Sequence, residues 1–277
     1  MISKLLQQAF GQNNELKTYA TAGNPSGDDM LDGEDLKIVS KMLRHAIENG
    51  VADSDGASLI KIGEYKGHSV FEHKAVDQIQ ISINDDGQAY VKLIVRKKDP
   101  GMGLAAFAGG RKDEGESDEV AAEREGSEEA KSKKGKLIAK YKIDRHPVAG
   151  DVRVKNGNDR AEGVELGDIT AISTAAIIIV EENVHDGIQA GDDAAGAGWV
   201  LLSTITNANL FSIKDHAEML VQATELAGVD NQLPESFYTS LLERKDDIAR
   251  ASPELQGSAK LLVTGYLSAE LGMRQEP

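Results

Sequence analysis

The stretch GGRKDEGESDEVAAEREGSEEAKS, residues 109–132, contains the strongest functional pattern in the chain. Its second half is expected to form a helix, on which Glu128 and Glu129 lie three and four residues after Glu125. At about 3.6 residues per turn, these carboxylates crowd one side of the helix. Like charges placed in this way repel one another and weaken an isolated helix. The pattern therefore predicts a counter-charge, and a hard divalent cation is the usual one for a cluster of oxygen ligands.

A solvated acidic face is the alternative interpretation of the same glutamates. Acidic runs on helices usually face water, and this chain is rich in acid, with 46 Asp and Glu against 31 Lys and Arg. Taken alone, the glutamates favour that alternative. The residues around them change the balance toward a metal site.

The order of residues around the glutamates resembles the signature of the Nudix hydrolases. Six fixed positions of that signature are present at the right spacing: Gly110, Glu116, Arg124, Glu125, Glu128 and Glu129. Gly126 stands where an apolar residue is expected, and Lys131 and Ser132 replace a glycine and an apolar residue. A glycine inside a helix is less favourable than alanine by about 1 kcal/mol. We therefore expect any unusual feature of the motif at the C-terminal end of its helix, with the carboxylates unaffected.

The resemblance implies a divalent cation, Mg2+ or Mn2+, held by carboxylates and one backbone carbonyl. The implied metal ligands are Glu125, Glu128, Glu129, Gly109 and Glu116. Glu128 would act either as a ligand or in positioning water, and Glu116 would hold either a metal-bound water or Arg124. Arg124 would brace the carboxylates by charge-assisted hydrogen bonds. An ordinary i,i+4 ion pair with Glu128 is compatible with that role.

An acid in a later loop is expected to orient the attacking water. Asp192 and Asp193 are the candidates, although an Asp-Asp pair in a glycine-rich loop also occurs simply as turn chemistry. Glu181 and Glu182, at the end of an expected strand, compete for the same role. The implied catalytic set is Glu125, Glu128, Arg124 and Asp193.

Three flanking segments resemble those of ADP-ribose pyrophosphatases. They are RKKDPGMGLAAFAGG at 96–110, AGDDAAGAGW at 190–199 and LFSIKDHAEMLVQA at 210–223. Ala105 and Ala108 stand where that group commonly has tryptophan and proline. The resemblance covers about residues 76–226. Because guanidinium groups match phosphate geometry, we expect three arginines to contact the diphosphate or the terminal ribose: Arg96, Arg111 and Arg160.

The activity implied is metal-dependent hydrolysis of a nucleoside diphosphate linked to another moiety, with ADP-ribose giving AMP and ribose 5-phosphate as the leading case. A pyrophosphatase for another dinucleotide, such as NADH or a diadenosine polyphosphate, is the alternative within the enzyme class. A Nudix-like ligand-sensing regulator without catalysis is the alternative from another class. Regulators of that kind usually lose the glutamate cluster, which is retained here, and residues 233–277 contain no basic recognition helix.

Composition limits the remaining classes of protein. A net charge of −15 argues against a surface that binds nucleic acid. The chain has no cysteine, so disulfides and zinc-thiolate sites are excluded. We find no signal peptide and no apolar run long enough to span a membrane. We therefore expect a cytoplasmic protein without membrane or nucleic-acid partners, acting on a nucleotide-sugar or dinucleotide, and homodimeric as members of this subgroup often are.

The order of the expected strands and helices fits a mixed sheet covered by helices. The resemblance implies an α/β fold of this kind, a Nudix-like α/β/α sandwich with a mixed central sheet. The expected helices are at 35–49, 212–228, 233–251 and 254–272. The expected strands are a short hairpin at 58–74, a second hairpin at 76–84 and 88–96, and strands at 136–144, 172–182 and 199–204, with a polar insert at 145–170. The predicted division is an N-terminal extension (1–70), the hydrolase domain (71–228) and a helical C-terminal extension (229–277).

Overall fold

The computed structural model describes residues 31, 33–51, 57–98, 101–154, 164–183, 187–191, 194–245, 249 and 251–265. The strands are β1 (Leu59–Tyr65), β2 (His68–Ile83), β3 (Ala89–Arg96), β4 (Ala105–Ala106), β5 (Ala108–Arg111), β6 (Ala130–Lys131), β7 (Lys136–Val154), β8 (Ile169–Glu182), β9 (Gln189–Ala190) and β10 (Ala194–Leu201). The helices are α1 (Gly33–Glu48), α2 (Asp118–Glu129), α3 (Lys214–Leu226), α4 (Glu235–Glu243) and α5 (Pro253–Lys260). Short 3-10 helices lie at Leu202–Thr204, Ala208–Leu210 and Asp230–Gln232, and a π-helical turn, Leu261–Gly265, follows α5.

Strand β2 organises the main sheet, because it pairs with β1, β3, β5 and β8. It runs parallel to β8, from Val70 opposite Ile169 to Ile83 opposite Glu182, and antiparallel to the other three. Strand β7 lies outside β8, and β10 lies outside β3. The sheet is therefore mixed. Through β5, the pairing also sets the two glycines of the motif against the middle of β2.

Helices cover both faces of this sheet. Alternate residues of a strand point to opposite faces, and Val76 of β2 packs on Ala121 and Ala122 of α2. Ile79 points the other way, into a core that contains Leu220 of α3. The predicted α/β class, with a mixed central sheet between helical layers, is confirmed.

Helix α1 packs at the far end of the face that carries α2. Its residues Val39 and Leu43 form a core with Val70 of β2 and Ile169 of β8. Val263, near the end of the described chain, belongs to the core on the opposite face. The division at residues 70 and 228 stays a prediction. None of the helices in the described ranges is long and apolar enough to cross a membrane.

Two strands are longer than the sequence predicted. The expected break between the hairpin at 58–74 and the strand at 76–84 is wrong, because β2 runs without interruption from His68 to Ile83. The expected polar insert at 145–170 is also wrong over its first part, where β7 continues to Val154. Register shifts between Ile143 and His146 and between Pro147 and Val152 let β7 stay paired with β8. An end strand tolerates such bulges, and tolerates proline, better than a central one does.

The helices expected at 35–49 and 212–228 are confirmed as α1 and α3. The helix expected at 233–251 ends early, at Glu243. Arg244 leaves the helical conformation there, and its buried guanidinium donates to the carbonyl of Ala208 at 2.8 Å. The last helix ends at Lys260 and continues as the π-helical turn, and residues 266–272 of that prediction lie outside the described residues.

Candidate active site

Helix α2, which carries the three motif glutamates, is held at its N-terminus by side chains. The Ser117 hydroxyl accepts a hydrogen bond from the backbone N–H of Val120, as an N-cap does. Asp118, in the first turn, is bound by three cations: Lys112 at 2.8 Å, Lys142 at 2.8 Å and Arg145 at 2.7 Å. Burial acts to raise the pKa of Asp118, but the hydrogen bonds from Lys112 and Lys142 outweigh it and lower that pKa. The N-terminus of the helix is thus fixed by an ionised aspartate.

The C-terminal end of α2 differs from an ordinary glycine cap, as the replacement of the motif's last glycine by Lys131 predicted. Ala130 and Lys131 leave the helix directly as β6, which pairs with Gln189 and Ala190 of β9. Gly191, in the next turn, donates its backbone N–H to the carbonyl of Glu129 at 2.9 Å. The glycine-rich loop therefore closes the end of the helix that the motif leaves without a cap.

Arg124 contacts three glutamates of the motif, Glu116, Glu125 and Glu128. Its guanidinium binds both oxygens of Glu116, with Nε–Oε1 and Nη2–Oε2 distances of 2.9 Å. Nη1 reaches Glu125 at 2.7 Å and Glu128 at 3.5 Å, and Nη2 donates to the carbonyl of Arg111 at 3.0 Å. The hydrogen bonds to Glu116, and then those to Glu125, raise the pKa of Arg124, and the same contact lowers the pKa of Glu116. Of the two partners expected for Glu116, the structure thus shows Arg124.

Glu125 is the most enclosed of the motif carboxylates, with a side chain only 12% exposed. It lies against Gly110, where an added Cβ would stand 2.5 Å from Oε1 and 2.8 Å from Oε2. The glycine is therefore required by the approach of the carboxylate. Burial raises the pKa of Glu125, Arg124 opposes that rise, and the charge of Glu128 adds to it.

Glu129 and Gly109 join the helix to β5. The Glu129 Oε2 accepts a hydrogen bond from the Gly109 backbone N–H at 3.0 Å. Behind Gly109 lies Asp77 of β2, whose Oδ1 would be 2.2 Å from a Cβ at that position. Glu128, by contrast, has a side chain that is 59% exposed. The three glutamates thus lie in different surroundings: one enclosed against Gly110, one bonded to the backbone of β5 and one facing water.

Asp77 and His216 are candidate site residues that the sequence did not single out for this site. Asp77 Oδ2 accepts a hydrogen bond from the Thr174 hydroxyl at 3.1 Å, and Oδ1 lies 3.6 Å from His216 Nε2. All three side chains are buried. They meet only because β2, β8 and α3 are brought together by the fold, and no spacing along the chain signals it. The one available signal was the Asp-His pair at the start of α3.

The donor types of this site fit a hard divalent cation, although the ligands are not pre-assembled around a point. Among the residues that the structure describes, no group of three His, Asp or Glu side chains stands close enough to hold a metal ion. Carboxylate oxygens and a backbone carbonyl are nevertheless the ligands that such ions take. Glu125 is buried against Gly110 with its pKa raised. Arg124 is the counter-charge observed next to Glu125.

Of the remaining predicted residues, the structure describes Arg96 and Arg111. Arg96 ends β3 opposite Ala194 of β10, and its Nε atom is buried without a hydrogen-bond partner in the described chain. Arg111 ends β5, next to Gly110. Asp193, its neighbour Asp192, and Arg160 lie outside the described residues.

The competing acids at the end of β8 make contacts with the neighbouring strands. Glu181 is buried and accepts hydrogen bonds from Gln80 Nε2 at 2.5 Å and from the Gly135 backbone N–H at 3.2 Å. Glu182 pairs with Lys136 at 3.2 Å. These three contacts connect β8 to β2 and to the start of β7.

Comparisons with known proteins find similar solved structures at low sequence identity. No family model and no curated protein matches the chain. Among solved structures, the NUDIX domain of Shewanella oneidensis NrtR complexed with ADP ribose is 19% identical, with 65% of this chain and 97% of that chain covered and a TM-score of 0.40. The Nudix hydrolase RenU from M. smegmatis is 20% identical, with coverages of 61% and 92% and a TM-score of 0.37.

A third solved structure is a bifunctional NMN adenylyltransferase/ADP ribose pyrophosphatase from Francisella tularensis, complexed with AMP and a Mn ion. It is 19% identical, with 72% of this chain covered and a TM-score of 0.40. The chain spans about half of that enzyme, since the match covers 51% of its length. Two of these three proteins are named as Nudix proteins, the family that the spacing at residues 110–129 resembles.

Proposed function

We propose that this chain is a Nudix-type pyrophosphohydrolase that splits a nucleoside diphosphate linked to another moiety, with ADP-ribose as the leading substrate. The observation that carries the proposal is the clamp of Arg124 on Glu116 and Glu125, beside the Glu129–Gly109 contact. An acidic helix that was merely solvated would not need its carboxylates bound to an arginine and to a strand backbone. Nor would it need a glycine at position 110, where the carboxylate of Glu125 approaches the backbone.

Glu125, Glu128, Glu129 and the Gly109 carbonyl would hold Mg2+ or Mn2+ in this proposal, with Glu116 acting through Arg124. When bound, the cation neutralises phosphate charge and lowers the pKa of water. Arg124 holds Glu125 by a charge-assisted hydrogen bond of 2.7 Å, which fixes the carboxylate before the cation arrives. The exposed Glu128 would be the carboxylate that adjusts when substrate and cation enter.

The proposed reaction is a single displacement at phosphorus. A water oxygen forms a bond to one phosphorus of the diphosphate, and the bond between that phosphorus and the bridging oxygen breaks. The bridging oxygen leaves on the other phosphate, so ADP-ribose gives AMP and ribose 5-phosphate. One proton of the water goes to the carboxylate of Asp193, the late-loop acid proposed to orient that water. Arg96, Arg111 and Arg160 are proposed to bind the diphosphate or the terminal ribose, because guanidinium groups pair with phosphate oxygens.

The test is hydrolysis of ADP-ribose, NADH and diadenosine polyphosphates with Mg2+ or Mn2+, followed by measurement of phosphomonoester release. We expect ADP-ribose to be cleaved fastest. Preference for a dinucleotide would instead select the alternative substrate class. A parent that binds ADP-ribose, measured by calorimetry, but hydrolyses no substrate in the panel would support the ligand-sensing regulator.

Glu125→Gln and Glu129→Gln should remove most of the metal-dependent activity while the fold is kept. The matched control is Glu123→Gln, since Glu123 lies on the same helix but is exposed and pairs with Lys134. We expect the control to hydrolyse at the parent rate. If the double variant at 125 and 129 released AMP as fast as the parent, these residues would not be the site.

The assembly and the location of the protein are also proposals. A homodimer and a cytoplasmic location remain predictions, as does the division into an N-terminal extension (1–70), a hydrolase domain (71–228) and a C-terminal extension (229–277). Sedimentation of the full chain would test the homodimer. Sedimentation of residues 71–228 alone would test whether the predicted hydrolase domain is a separate folded unit.

A further inference from the structure

The glycine inside α2 makes room for a buried side chain of the sheet. A Cβ at Gly126 would stand 2.1 Å from Oε1 and 2.6 Å from Nε2 of Gln78. The Gln78 Nε2 donates to the carbonyl of Ala122, one turn earlier in the helix, at 3.1 Å. Gln78 is buried and comes from β2, directly beneath the helix. The position at which the motif has an apolar residue is therefore a contact between helix backbone and a polar group.

A buried lysine continues this contact to the end of the helix. Lys92 of β3 is only 4% exposed. Its Nζ donates to Gln78 Oε1 at 2.9 Å and to the carbonyl of Ala130, at the C-terminal end of α2, at 3.2 Å. A cation at a helix C-terminus interacts favourably with the helix dipole. The chain Ala122–Gln78–Lys92–Ala130 thus spans the C-terminal half of α2.

We propose that Gln78 and Lys92 are positioning residues, which fix the C-terminal half of α2 on the sheet and thereby set Glu128 and Glu129 for cation binding. The cation-binding part rests on the proposed function, whereas the fixing of the helix does not. We refer to Gln78 and Lys92 together as the polar strut.

Geometry explains why a strut of this kind positions the helix better than packing does. Apolar contacts are non-directional. Those of α2 with the sheet lie at Ala121 and Ala122, and Ala130, directly after the helix, packs in a cluster with Ile94 and Ala108. Hydrogen bonds constrain both distance and angle. Here they join the helix backbone at Ala122 and Ala130, on either side of Glu125, Glu128 and Glu129. A small rotation of the C-terminal half of α2 would also move Glu129 away from the Gly109 N–H, from which it now accepts a hydrogen bond at 3.0 Å.

The first measurement is amide hydrogen exchange in the metal-free protein. Gln78→Ala and Lys92→Met should each raise exchange at residues 126–130 by about tenfold or more, while residues 118–122, held by Asp118, keep parent values. Adding Gly126→Leu to Gln78→Ala should restore slow exchange, because the leucine fills the vacated space with an apolar contact. Parent-like exchange in both single variants would overturn the proposal. So would an equal rise throughout the protein, which indicates a general loss of stability.

The second measurement is direct binding of Mn2+, followed by electron paramagnetic resonance without substrate. We expect about fivefold or greater weakening for Gln78→Ala and Lys92→Met, and recovery in Gln78→Ala/Gly126→Leu. Glu123→Gln serves as the control and should bind as the parent does. If exchange at 126–130 rises but Mn2+ affinity is unchanged, the strut has only a structural role and the proposal is wrong. If the parent itself binds no Mn2+, the proposed function fails, and the exchange data alone decide whether the strut fixes the helix.

Discussion

The two ends of the carboxylate helix α2 are held by opposite arrangements of charge. At the N-terminus, Asp118 is an anion surrounded by the cations Lys112, Lys142 and Arg145. At the C-terminus, Lys92 is a cation whose observed hydrogen-bond partners are neutral, the oxygens of Gln78 and Ala130. Each charge has the sign that complements the helix dipole. The charge of Asp118 therefore stabilises the N-terminal end, whereas neutral partners only partly offset the cost of burying the charge of Lys92 at the C-terminal end.

The pKa shifts at the two ends express this difference. Despite burial, the hydrogen bonds from Lys112 and Lys142 lower the pKa of Asp118, so the folded protein favours the charged carboxylate. Burial lowers the pKa of Lys92 to about 8, with a weaker opposing effect of Glu181, so folding disfavours the charged ammonium. Removing the charge should thus have opposite consequences at the two ends.

The largest expected effect on the free energy of unfolding comes from Asp118→Asn, which removes the charge that the three cations share at the N-terminus of α2. Three cations would lose their common partner, and removal of one member of a buried ion cluster destabilises by about 3–5 kcal/mol. Because the pKa of Asp118 is lowered in the folded state, its contribution is present above the ordinary value of 3.8 and is lost as pH falls below it. Urea unfolding between pH 7 and pH 3 measures both effects. Glu119→Gln, in the same turn but exposed, is the control, and equal losses in the two variants would contradict this account.

The C-terminal end should respond to pH in the opposite direction. The pKa of Lys92 is about 8 in the folded protein against 10.5 in the unfolded chain, so above pH 8 the unfolded state binds more protons and the free energy of unfolding rises. A difference of this size corresponds to about 3 kcal/mol once both states are neutral. The rise should be absent in Lys92→Met. The relevant measurement is the parent-minus-variant difference between pH 7 and pH 10, because burial raises the pKa of Tyr238 to about 12 and opposes the trend above pH 10. A difference that stays constant with pH would show that burial does not lower the pKa of Lys92.

The comparison also shows what the sequence could predict. The helix and the crowding of its glutamates follow from spacing within one short segment, where about 3.6 residues per turn suffices. The Arg124–Glu116 contact was expected only from the resemblance to the Nudix signature, as one of two partners for Glu116. The alternation of β2 and β3 predicted a hairpin, and the pairing of Ile81 with Val91 confirms it. Local periodicity is thus enough to predict the elements.

The contacts that anchor the helix could not be predicted in the same way. Gln78, Lys92 and Arg145 come from strands that precede or follow the motif, and a buried polar residue on a strand has no pattern that identifies its partner. Gly126 illustrates the consequence. In the sequence it is a weak position in a helix, whereas in the structure the space it leaves is filled by Gln78.

Gly191→Ala tests how far the contact of Gly191 with the helix backbone stabilises the C-terminal end of α2. A Cβ there would stand 1.6 Å from the Glu128 carbonyl oxygen and 3.1 Å from the Glu129 Cα, so backbone has to move. We expect a loss of about 2 kcal/mol, typical of overpacking, and weaker metal binding because Glu128 and Glu129 shift with the backbone. Gly257→Ala in α5 is the matched control, since a Cβ there meets nothing within 4 Å. Thermal unfolding that was unchanged in Gly191→Ala would show that the loop does not close the helix.

The smallest effect, and the one whose sign is most informative, belongs to Gly126→Ala. In an ordinary helix interior this change stabilises by about 1 kcal/mol. Here the new Cβ would lie 2.1 Å from Gln78 Oε1, which Lys92 holds at 2.9 Å, so Gln78 can move only by giving up a buried hydrogen bond. We therefore expect Gly126→Ala to destabilise the parent by about 1 kcal/mol and to stabilise Gln78→Ala by a similar amount. A double-mutant cycle in urea measures the coupling. Stabilisation in both backgrounds would mean that Gln78 is not fixed between Lys92 and the helix, and that the polar strut does not position the C-terminal half of α2.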